Sequence, residues 1–496
     1  MKTSHRLAIL LPILTLATAA FAASPNDPTW WDKYAYLVKN GADTATGSSS
    51  SISFGKNVDV SNECGPQSET FITLNPFSPK QLAAGSNEIF RLPMRGYYSN
   101  GGNTWGGVDL PLPPAIGANG IDFGSDPTLT FDTRGNLFYG YIVVFFGNGN
   151  GVNGSQMAVA RSTDGGATYS SVNFFSYEGG SNHFNDKPMI TADKNLTSPY
   201  RDNVYIAWDA AAGGSTGGGI RFATSTDSGK NFNVIRVDDA GGPGRSIGAC
   251  PAVGPKGEVY VAWNDYAANA IAFNRSFDGG KTFDTPLTIS TKSIPFDYAV
   301  PAELFRRALV YPALDTDRSN GPHRGRVYAS WLDLTAEGTT DIFLSYSDDK
   351  GATWSKPAPV TDRLAFKVDR FNHWMSVDPV TGDVNVSFYD TRNDTTGSRY
   401  MTDTYLAQSK DGGQTWGGSD IRVSTASSNE HTDTAGNYPS PAINYGNQQG
   451  DYEGLVSYGG VSYPIWTDSR RQLDPISGCS RGLAMEEVFT AKVTTP

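Results

Sequence analysis

An octapeptide that recurs along the chain limits the possible folds more than any other feature of the sequence. Ser276–Phe283 has the sequence SFDGGKTF, with Asp third, Gly fifth, Thr seventh and an aromatic residue last. The copies that start at Ser162 and Ser409 share this pattern, and looser copies start at Ser225 and Ser347. A sixth copy, starting at position 98, has no leading Ser and carries Asn in place of Asp.

The residue types in the octapeptide are those of a tight turn. The Asp side chain accepts hydrogen bonds from backbone amides just ahead of it, and Gly adopts the positive φ that closes a hairpin. The Ser or Thr hydroxyl ties the ends together, and the final aromatic ring fills a gap between packed layers. Each copy therefore predicts a strand–turn–strand unit in which the Asp has a structural role and not a catalytic one.

The spacing of the copies predicts the architecture. They start at positions 98, 162, 225, 276, 347 and 409, which is 51 to 71 residues apart. A period of this size with several short strands per repeat is typical of a β-propeller with four strands per blade. Seven apolar strand pairs follow one another along the chain, so we predict an all-β propeller of seven blades, with six blades as the alternative. Val58–Ser61 resembles an outer strand and is predicted to join the last blade.

The pattern Ser-x-Asp-x-Gly-x-Thr-aromatic resembles the Asp-box (BNR repeat) of the sialidase-like propeller superfamily. This superfamily contains sialidases, other glycosidases, polysaccharide lyases and propellers without activity. The resemblance implies three arginines on a substrate carboxylate, an Asp acid, and a Tyr nucleophile assisted by Glu. Phe90–Pro93 (FRLP) is similar to the family's Phe-Arg-Ile-Pro motif, which carries the first arginine. Here the motif follows the second strand of a unit, whereas the family has it in the first.

Composition and the N-terminal segment restrict the partners and the location. With 39 basic and 50 acidic residues, the formal net charge is −11, which argues against nucleic acid or an anionic membrane as a partner. Residues 1–22 have the basic start, apolar run and small-residue cleavage site of a secretory signal, so we expect a secreted protein, extracellular or periplasmic. Residues 23–52 are predicted as a flexible lead-in and 53–496 as the propeller. We expect no amphipathic helix, no membrane span and a monomer.

The three cysteines allow one intramolecular disulfide at most. Cys64 and Cys479 lie near the two ends of the predicted fold, where a bridge would link them. Cys250 lies in an apolar strand and is predicted to be a buried free thiol. The sequence does not decide whether Cys64 and Cys479 form this disulfide.

Propeller geometry separates the octapeptides from a second set of polar residues. If the octapeptides join the third and fourth strands of each blade, the starts of the first strands and the ends of the second strands lie on the opposite face. The starts of first strands carry Asp126, Asp186, Lys187, Asn372, His373, Asp451 and Glu453. The ends of second strands carry Asp209, Asn264, Asp265, Asp333, Asp390, Arg392, Asp468 and Arg470, and Arg306 and Arg307 precede the fifth unit.

This rim of carboxylates and arginines suits the hydrolysis of a glycosidic bond. Crowded carboxyl groups raise one another's pKa, which suits a general acid, and arginines bind anionic sugars in a bidentate manner. The predicted acid/base residues are Asp186, Asp451 and Glu453, and Tyr389 or Tyr452 is the predicted nucleophile. The predicted substrate-binding residues are Arg392, Arg470, Arg306 and Asp390.

The leading hypothesis is therefore a glycoside hydrolase of sialidase-like type, acting on a carbohydrate or glycoconjugate. One alternative is a propeller that binds a glycan or a protein without turnover. Another is a polysaccharide lyase with His183 or His373 as base. This chemistry requires no cofactor, although an acidic funnel could hold Ca²⁺ through oxygen ligands. The histidines show no metal-binding spacing, and the sequence does not identify a metal.

Overall fold

The structure is a computed structural model, and it describes residues 29–42, 51–114, 121–146, 154–179, 183–212, 219–239, 246–418, 420–430, 449–472 and 486–494. The predicted secretory signal and Cys479 lie outside the described residues. The first elements are a helix, α1 (Thr29–Asn40), and two short strands, β1 (Ile52–Phe54) and β2 (Asn57–Asp59).

Six antiparallel sheets then follow one another along the chain, each built from four strands in sequence order. Sheet 1 consists of β3 (Gln67–Asn75), β4 (Ser78–Glu88), β5 (Arg95–Asn100) and β6 (Trp105–Asp109). Sheet 2 consists of β7 (Ile121–Phe131), β8 (Leu137–Phe146), β9 (Gly154–Ser162) and β10 (Ser171–Gly179). Sheet 3 consists of β11 (His183–Ala192), β12 (Val204–Ala212), β13 (Gly219–Ser225) and β14 (Asn233–Arg236).

The second half of the chain continues the pattern, with one inserted hairpin. Sheet 4 consists of β15 (Ser246–Val253), β16 (Val259–Asp265), β17 (Ala270–Ser276) and β18 (Leu287–Thr291), and the hairpin of β19 (Asp297–Val300) and β20 (Glu303–Leu309) follows it. Sheet 5 consists of β21 (Ala313–Thr316), β22 (Val327–Leu334), β23 (Thr340–Ser347) and β24 (Ala358–Pro359). Sheet 6 consists of β25 (Arg370–Val377), β26 (Val384–Asp390), β27 (Met401–Ser409) and β28 (Ile421–Arg422), with β29 (Ser428–Asn429) also paired to β27.

Sheet 7 combines strands from both ends of the chain. Its C-terminal strands are β30 (Gly454–Tyr458), β31 (Val461–Asp468), β32 (Glu487–Ala491) and β33 (Val493–Thr494), with a 3-10 helix at Ser469–Gln472 after β31. β2 pairs with β32, placing Val58 opposite Thr490, and β1 pairs with β2. The early strand that the sequence predicts does therefore pair with the last sheet.

The sheets pack side by side through apolar faces. The first strands of consecutive sheets contact each other from β3 to β30, and β30 also contacts β3. Between neighbouring sheets lie large side chains of the second strands, among which Trp208, Trp263, Trp331 and Trp466 are at most 2% exposed. Removing such a ring costs about 3–5 kcal/mol in other proteins, so these residues hold adjacent sheets together. The all-β architecture is consistent with a propeller.

The octapeptides form the predicted turns between third and fourth strands. In the copy at Ser347, the Ser347 hydroxyl donates to Asp349 Oδ1 (2.8 Å) and the Thr353 hydroxyl donates to Asp349 Oδ2 (2.6 Å). The hydrogen bonds, led by that from Thr353, lower the pKa of Asp349 to about 2. This pattern confirms the structural role of the aspartate.

The copy at position 98 corrects one detail of the sequence analysis. The hydroxyl of Ser99 accepts a hydrogen bond from Gly102 N–H (3.0 Å), as Ser162 does from Gly166 N–H (2.8 Å). The turn is one residue shorter and keeps its serine, so the prediction that this copy lacks a leading Ser was wrong.

Strand order separates two faces of the molecule. Because neighbouring strands are antiparallel, the turn between third and fourth strands lies at the same end as the turn between first and second strands. The octapeptides therefore lie at one end of the sheets, which we call the octapeptide face. The first strands start, and the second strands end, at the other end, which we call the funnel face.

Helix α1 contradicts the expectation that no amphipathic helix is present, and it lies within the segment predicted as a flexible lead-in. Leu37 packs in the same apolar cluster as Phe123 of β7. Lys33 is 1% exposed, and its ammonium group donates to the carbonyl groups of Gly124 (3.0 Å) and Leu92 (3.3 Å). A lysine on the buried side interrupts the apolar periodicity, which is why the sequence pattern did not reveal the helix.

The cysteines differ in state. Cys64 is disulfide-bonded, whereas Cys250 is a buried free thiol, as predicted. Cys479, the predicted partner of Cys64, lies outside the described residues. No helix in the described part of the chain is long and apolar enough to cross a membrane.

Candidate functional site on the funnel face

The start of the first strand is bulged in five of the seven sheets. At each bulge one residue has a positive φ: Glu69 (53°), Asp126 (61°), Lys187 (49°), Gly248 (70°) and Asn372 (44°). The strand pairing shifts register at the same five places. A bulge redirects the side chain it carries, and a non-glycine residue rarely adopts positive φ. The fold therefore accepts local strain to orient polar side chains at the funnel face.

Lys187 lies at the centre of these side chains. Its ammonium nitrogen lies over the rings of Tyr452 (2.7 Å from the centroid) and Tyr311 (4.3 Å). The side chain is almost completely buried, and its ammonium group has no hydrogen-bond partner within the described residues. Burial lowers the pKa of Lys187 to about 8, while Glu69 and Asp451, together with two further carboxylates, act in the opposite direction.

Asp451 joins this cluster as an ion pair. Arg306 donates from Nε to Asp451 Oδ1 (2.7 Å), and its Nη2 lies 2.5 Å from the same oxygen. The Tyr311 hydroxyl donates to Asp451 Oδ2 (3.4 Å). A Cβ at Gly248 would collide with the Tyr311 ring, so glycine there allows this ring to reach the funnel. The predicted residues Asp451 and Arg306 are therefore together, 145 positions apart in sequence.

Asp186 belongs to a second group of carboxyl groups beside Lys187. Burial, followed by the charges of Asp126 and Asp209, raises the pKa of Asp186 well above its usual value, and a hydrogen bond joins it to the Asp126 carboxyl group. Asp126 Oδ2 also accepts a hydrogen bond from Lys187 N–H (3.0 Å). Burial raises the pKa of Asp209 to about 8. The raised pKa favours the protonated form of Asp186, which suits a proton donor.

Two residues of the cluster were not predicted, Glu69 and Tyr311. Glu69 follows Ser68 in the bulge of β3 as Asp126 follows Ser125 in β7, and Asn87 donates to its Oε2 (2.5 Å). Tyr311 lies two residues before Ala313, the first residue of β21. Lys187 likewise lies two residues before Met189, where the pairing of β11 resumes after the bulge. Alignment of the repeats by their first strands would have found both positions.

Two of the predicted substrate anchors are held in ion pairs at the ends of second strands. Arg392 Nη2 lies 2.6 Å from Asp390 Oδ2 and 2.7 Å from Asp420 Oδ2. Arg470 Nη2 lies 2.6 Å from Asp468 Oδ2, and the same nitrogen donates to Asn57 Oδ1 (3.1 Å). Among the described contacts, none joins Arg392, Arg470 or Asp390 to Lys187 or Asp451.

Tyr389, Glu453 and His373 lie inside the packed structure. The Tyr389 hydroxyl donates to Thr467 C=O (3.0 Å) and accepts from Thr467 N–H (3.0 Å), which ties sheets 6 and 7 together. Glu453 is fully buried, and burial raises its pKa well above the usual value. His373 Nε2 forms a hydrogen bond with the Ser330 hydroxyl (2.9 Å), and burial lowers the pKa of His373 to about 4, so this imidazole is neutral.

Four of the remaining predicted residues have structural contacts. Asp333 accepts a hydrogen bond from Ser293 N–H (2.9 Å), and Asn372 donates to Gly450 C=O (3.0 Å). Asp265 accepts from a backbone N–H in its own turn, and Arg307 pairs with Asp297. The side chain of Asn264 is buried and has no hydrogen-bond partner among the described residues.

The arginine of the FRLP motif is paired as well. Arg91 lies 3.3 Å from Glu63 and 2.6 Å from Asp109, and it is 7% exposed. His183, a candidate base of the lyase alternative, has a side chain outside the described part of the chain. Within the described residues, no group of three or more His, Cys, Asp or Glu side chains has the geometry to hold a metal ion.

No protein-family model matches the chain, and no curated protein matches it. Among solved structures, the chain is similar to a Hadza microbial sialidase, with 15% identity and a TM-score of 0.44 over 65% of this chain and 63% of that one. It is also similar to the leech intramolecular trans-sialidase (13% identity, TM-score 0.47, 76% of this chain and 72% of that one). A third is the α-L-arabinanase of Penicillium chrysogenum (13% identity, TM-score 0.43, 75% and 93%). All three TM-scores are below 0.5, so we base no assignment on these structures.

Proposed function

We propose that the protein is an exported, seven-bladed β-propeller, with sheets 1 to 7 as its blades, that hydrolyses a glycosidic bond at the funnel face. Support for the ring comes from the first strands, which contact one another in order and again between β30 and β3. Groups from sheets 1, 2 and 3 and from the segments before sheets 5 and 7 meet around Lys187. Such convergence is expected where blades surround one axis.

One observation carries the proposed reaction: two carboxyl groups with different surroundings lie beside the same buried lysine. Asp186 is buried beside other carboxyl groups, which favours its protonated form, and Asp451 is ion-paired with Arg306. Glycoside hydrolysis uses such a pair of carboxyl groups in different protonation states. Lys187 neighbours both, since both affect its pKa.

In the proposed reaction, Asp186 donates its proton to the glycosidic oxygen as the anomeric C–O bond breaks. Asp451 either takes a proton from the water that adds at the anomeric carbon, or bonds to that carbon itself and is released when water, deprotonated by Asp186, replaces it. One water molecule is consumed per bond in both cases. Lys187 then restores the balance of charge beside the newly ionised Asp186. Tyr311 and Tyr452 hold the ammonium group of Lys187 over their ring faces.

Three of the predicted roles are not retained in this proposal. Tyr389 has its hydroxyl occupied by the backbone of Thr467, so it is not proposed as the nucleophile. Glu453 is fully buried, and no described contact joins its side chain to Lys187 or Asp451, so it is not proposed as the acid or base. Arg392 and Arg470 are proposed to hold strand ends together through their carboxylate partners.

Leaving-group dependence tests the role of Asp186. We expect Asp186→Asn to lose about 100-fold or more in kcat on natural glycosides, because the leaving oxygen then departs without a proton. On aryl glycosides whose phenol leaving groups need no protonation, the variant should stay within about tenfold of wild type. An equal loss on both substrate types would contradict the role of Asp186 as acid. Asp284→Asn, an exposed surface change, is the matched control.

The ammonium group of Lys187, which has no hydrogen-bond partner among the described residues, also favours a second candidate, a propeller that binds a glycan without turnover. This candidate predicts saturable binding that Lys187→Met weakens, with no product after long incubation on a broad glycan panel. Product that accumulates with time, and that Asp186→Asn abolishes, excludes it.

A further inference from the structure

We infer that the funnel takes a neutral sugar, one without a carboxylate, as its ligand. This inference rests on the proposed function and narrows its substrate class. It departs from the anionic substrate that the sialidase resemblance implies.

Lys187 is surrounded by carboxyl groups. Carboxyl groups of Glu69, Asp126, Asp186 and Asp451 all act on the ammonium group of Lys187. The other cation of the cluster, Arg306, already pairs with Asp451. A ligand carboxylate placed at Lys187 would therefore lie among carboxyl groups that already compensate the charge of the ammonium group, which costs free energy in a buried site.

The arginines predicted as substrate anchors are already paired with carboxylates. Recognition of a sugar carboxylate needs guanidinium groups whose donors are free to form bidentate hydrogen bonds. The three arginines predicted as anchors, Arg306, Arg392 and Arg470, are at most 10% exposed at the side chain, and each has a carboxylate within 2.6 Å. An anionic sugar would have to displace these carboxylates and leave them buried without a partner.

The groups that remain suit hydroxyls. Lys187 is 3% exposed, and its ammonium group, unpartnered among the described residues, offers donors to ligand oxygen atoms. The carboxyl groups around it can accept hydrogen bonds from sugar hydroxyls. Donors and acceptors are thus present for a ligand that carries no charge.

Binding to the acid variant tests this inference independently of turnover. Calorimetry with Asp186→Asn compares methyl hexopyranosides and pentofuranosides with the matching methyl hexuronides, which replace the hexose CH2OH by a carboxylate, and with a methyl sialoside. We expect at least one neutral glycoside to bind ten-fold or more tightly than every anionic one. A hexuronide or sialoside that binds as tightly as the best neutral glycoside overturns the inference.

A second variant tests the cause. Asp451→Asn removes the carboxylate that holds Arg306, so we expect it to raise the affinity for a hexuronide about ten-fold above that of the parent. The double variant Asp451→Asn, Arg306→Gln should lose this gain. If the single variant gains nothing, the pairing of Arg306 does not set the charge preference, and the inference is overturned.

The two proposals fail in different ways. Turnover of an anionic glycoside in preference to its neutral counterpart overturns the neutral-sugar inference and leaves hydrolysis in place. Preferential binding of neutral glycosides without any turnover supports the inference and overturns hydrolysis. Absence of both binding and turnover across the panel overturns both.

Discussion

Asp278 on the octapeptide face and Asp186 on the funnel face are the same residue type, but their pKa values are displaced in opposite directions. Asp278 is hydrogen-bonded by Ser276 and Thr282 of its own turn, and despite some desolvation these hydrogen bonds lower its pKa to about 2. Asp186 is buried against carboxyl groups from other strands, and its pKa is raised. Local donors stabilise the charged form, whereas burial among distant acids stabilises the protonated form. Activity is therefore expected where the partners are distant in sequence.

The largest expected effect separates the two faces by activity. Asp186→Asn should reduce kcat on natural glycosides by about 100- to 10,000-fold, the range for loss of a general acid. Asp278→Asn, on the octapeptide face, should leave kcat within about threefold of wild type, because its role is confined to its turn. Steady-state kinetics with both variants checks this contrast. Comparable losses in kcat would remove the functional distinction between the faces.

The next effect concerns buried and exposed ion pairs. Arg370 is 4% exposed and lies 2.8 Å from Asp390 and 3.1 Å from Asp341. Arg370→Met should lower the free energy of unfolding by about 3–5 kcal/mol, because it leaves buried carboxylates without this partner. Asp284→Asn, which removes the exposed partner of Arg275, should cost at most about 1 kcal/mol. Urea unfolding measures both, and similar values for the two variants would contradict the assignment.

The third effect is a dependence on pH. Burial raises the pKa of Asp209 from 3.8 to about 8, so between these values the folded protein binds a proton that the unfolded chain does not. The contribution of Asp209 to stability therefore falls as the pH rises through this window, by about 1.4 kcal/mol per pH unit. Asp209→Asn lacks this contribution, so its stability relative to wild type should increase from pH 5 to pH 7. If the difference in unfolding free energy between Asp209→Asn and wild type is the same at pH 5 and pH 7, Asp209 ionises normally.

The smallest effect sharpens the description of the octapeptide. Asp278→Ala removes hydrogen bonds to a partly exposed turn and should cost about 1–2 kcal/mol of unfolding free energy. Asp278→Asn keeps an acceptor and should cost less. Thermal unfolding at neutral pH compares the two, and equal losses would show that charge, and not hydrogen bonding, stabilises the turn.

Sequence reasoning succeeded where the structure is local. The octapeptides combine their own Ser, Asp and Thr within eight residues, so their turns and the strands beside them could be predicted. The pairing of Val58 with the last sheet could also be predicted, because the strand pattern of its neighbours repeats.

Sequence reasoning did not reach contacts that cross the molecule. Arg306 and Arg392 looked equally suited to hold a substrate, but one pairs with Asp451 in the funnel and the other with Asp390 at its own strand end. Tyr389 was a predicted nucleophile, but its hydroxyl is hydrogen-bonded to the backbone of Thr467. Such partners are set by which sheets become neighbours, and no local pattern encodes that.

The makeup of sheet 7 has a consequence for synthesis of the chain. Val58 pairs with Thr490, which the ribosome adds 432 residues later. At a synthesis rate of about 5–20 residues per second, the partner strand of β2 is completed roughly 20 to 90 seconds after β2 itself. During this interval its unpaired backbone is open to wrong partners, including β2 of another nascent chain. Chains halted before residue 487 should therefore aggregate more readily than complete ones.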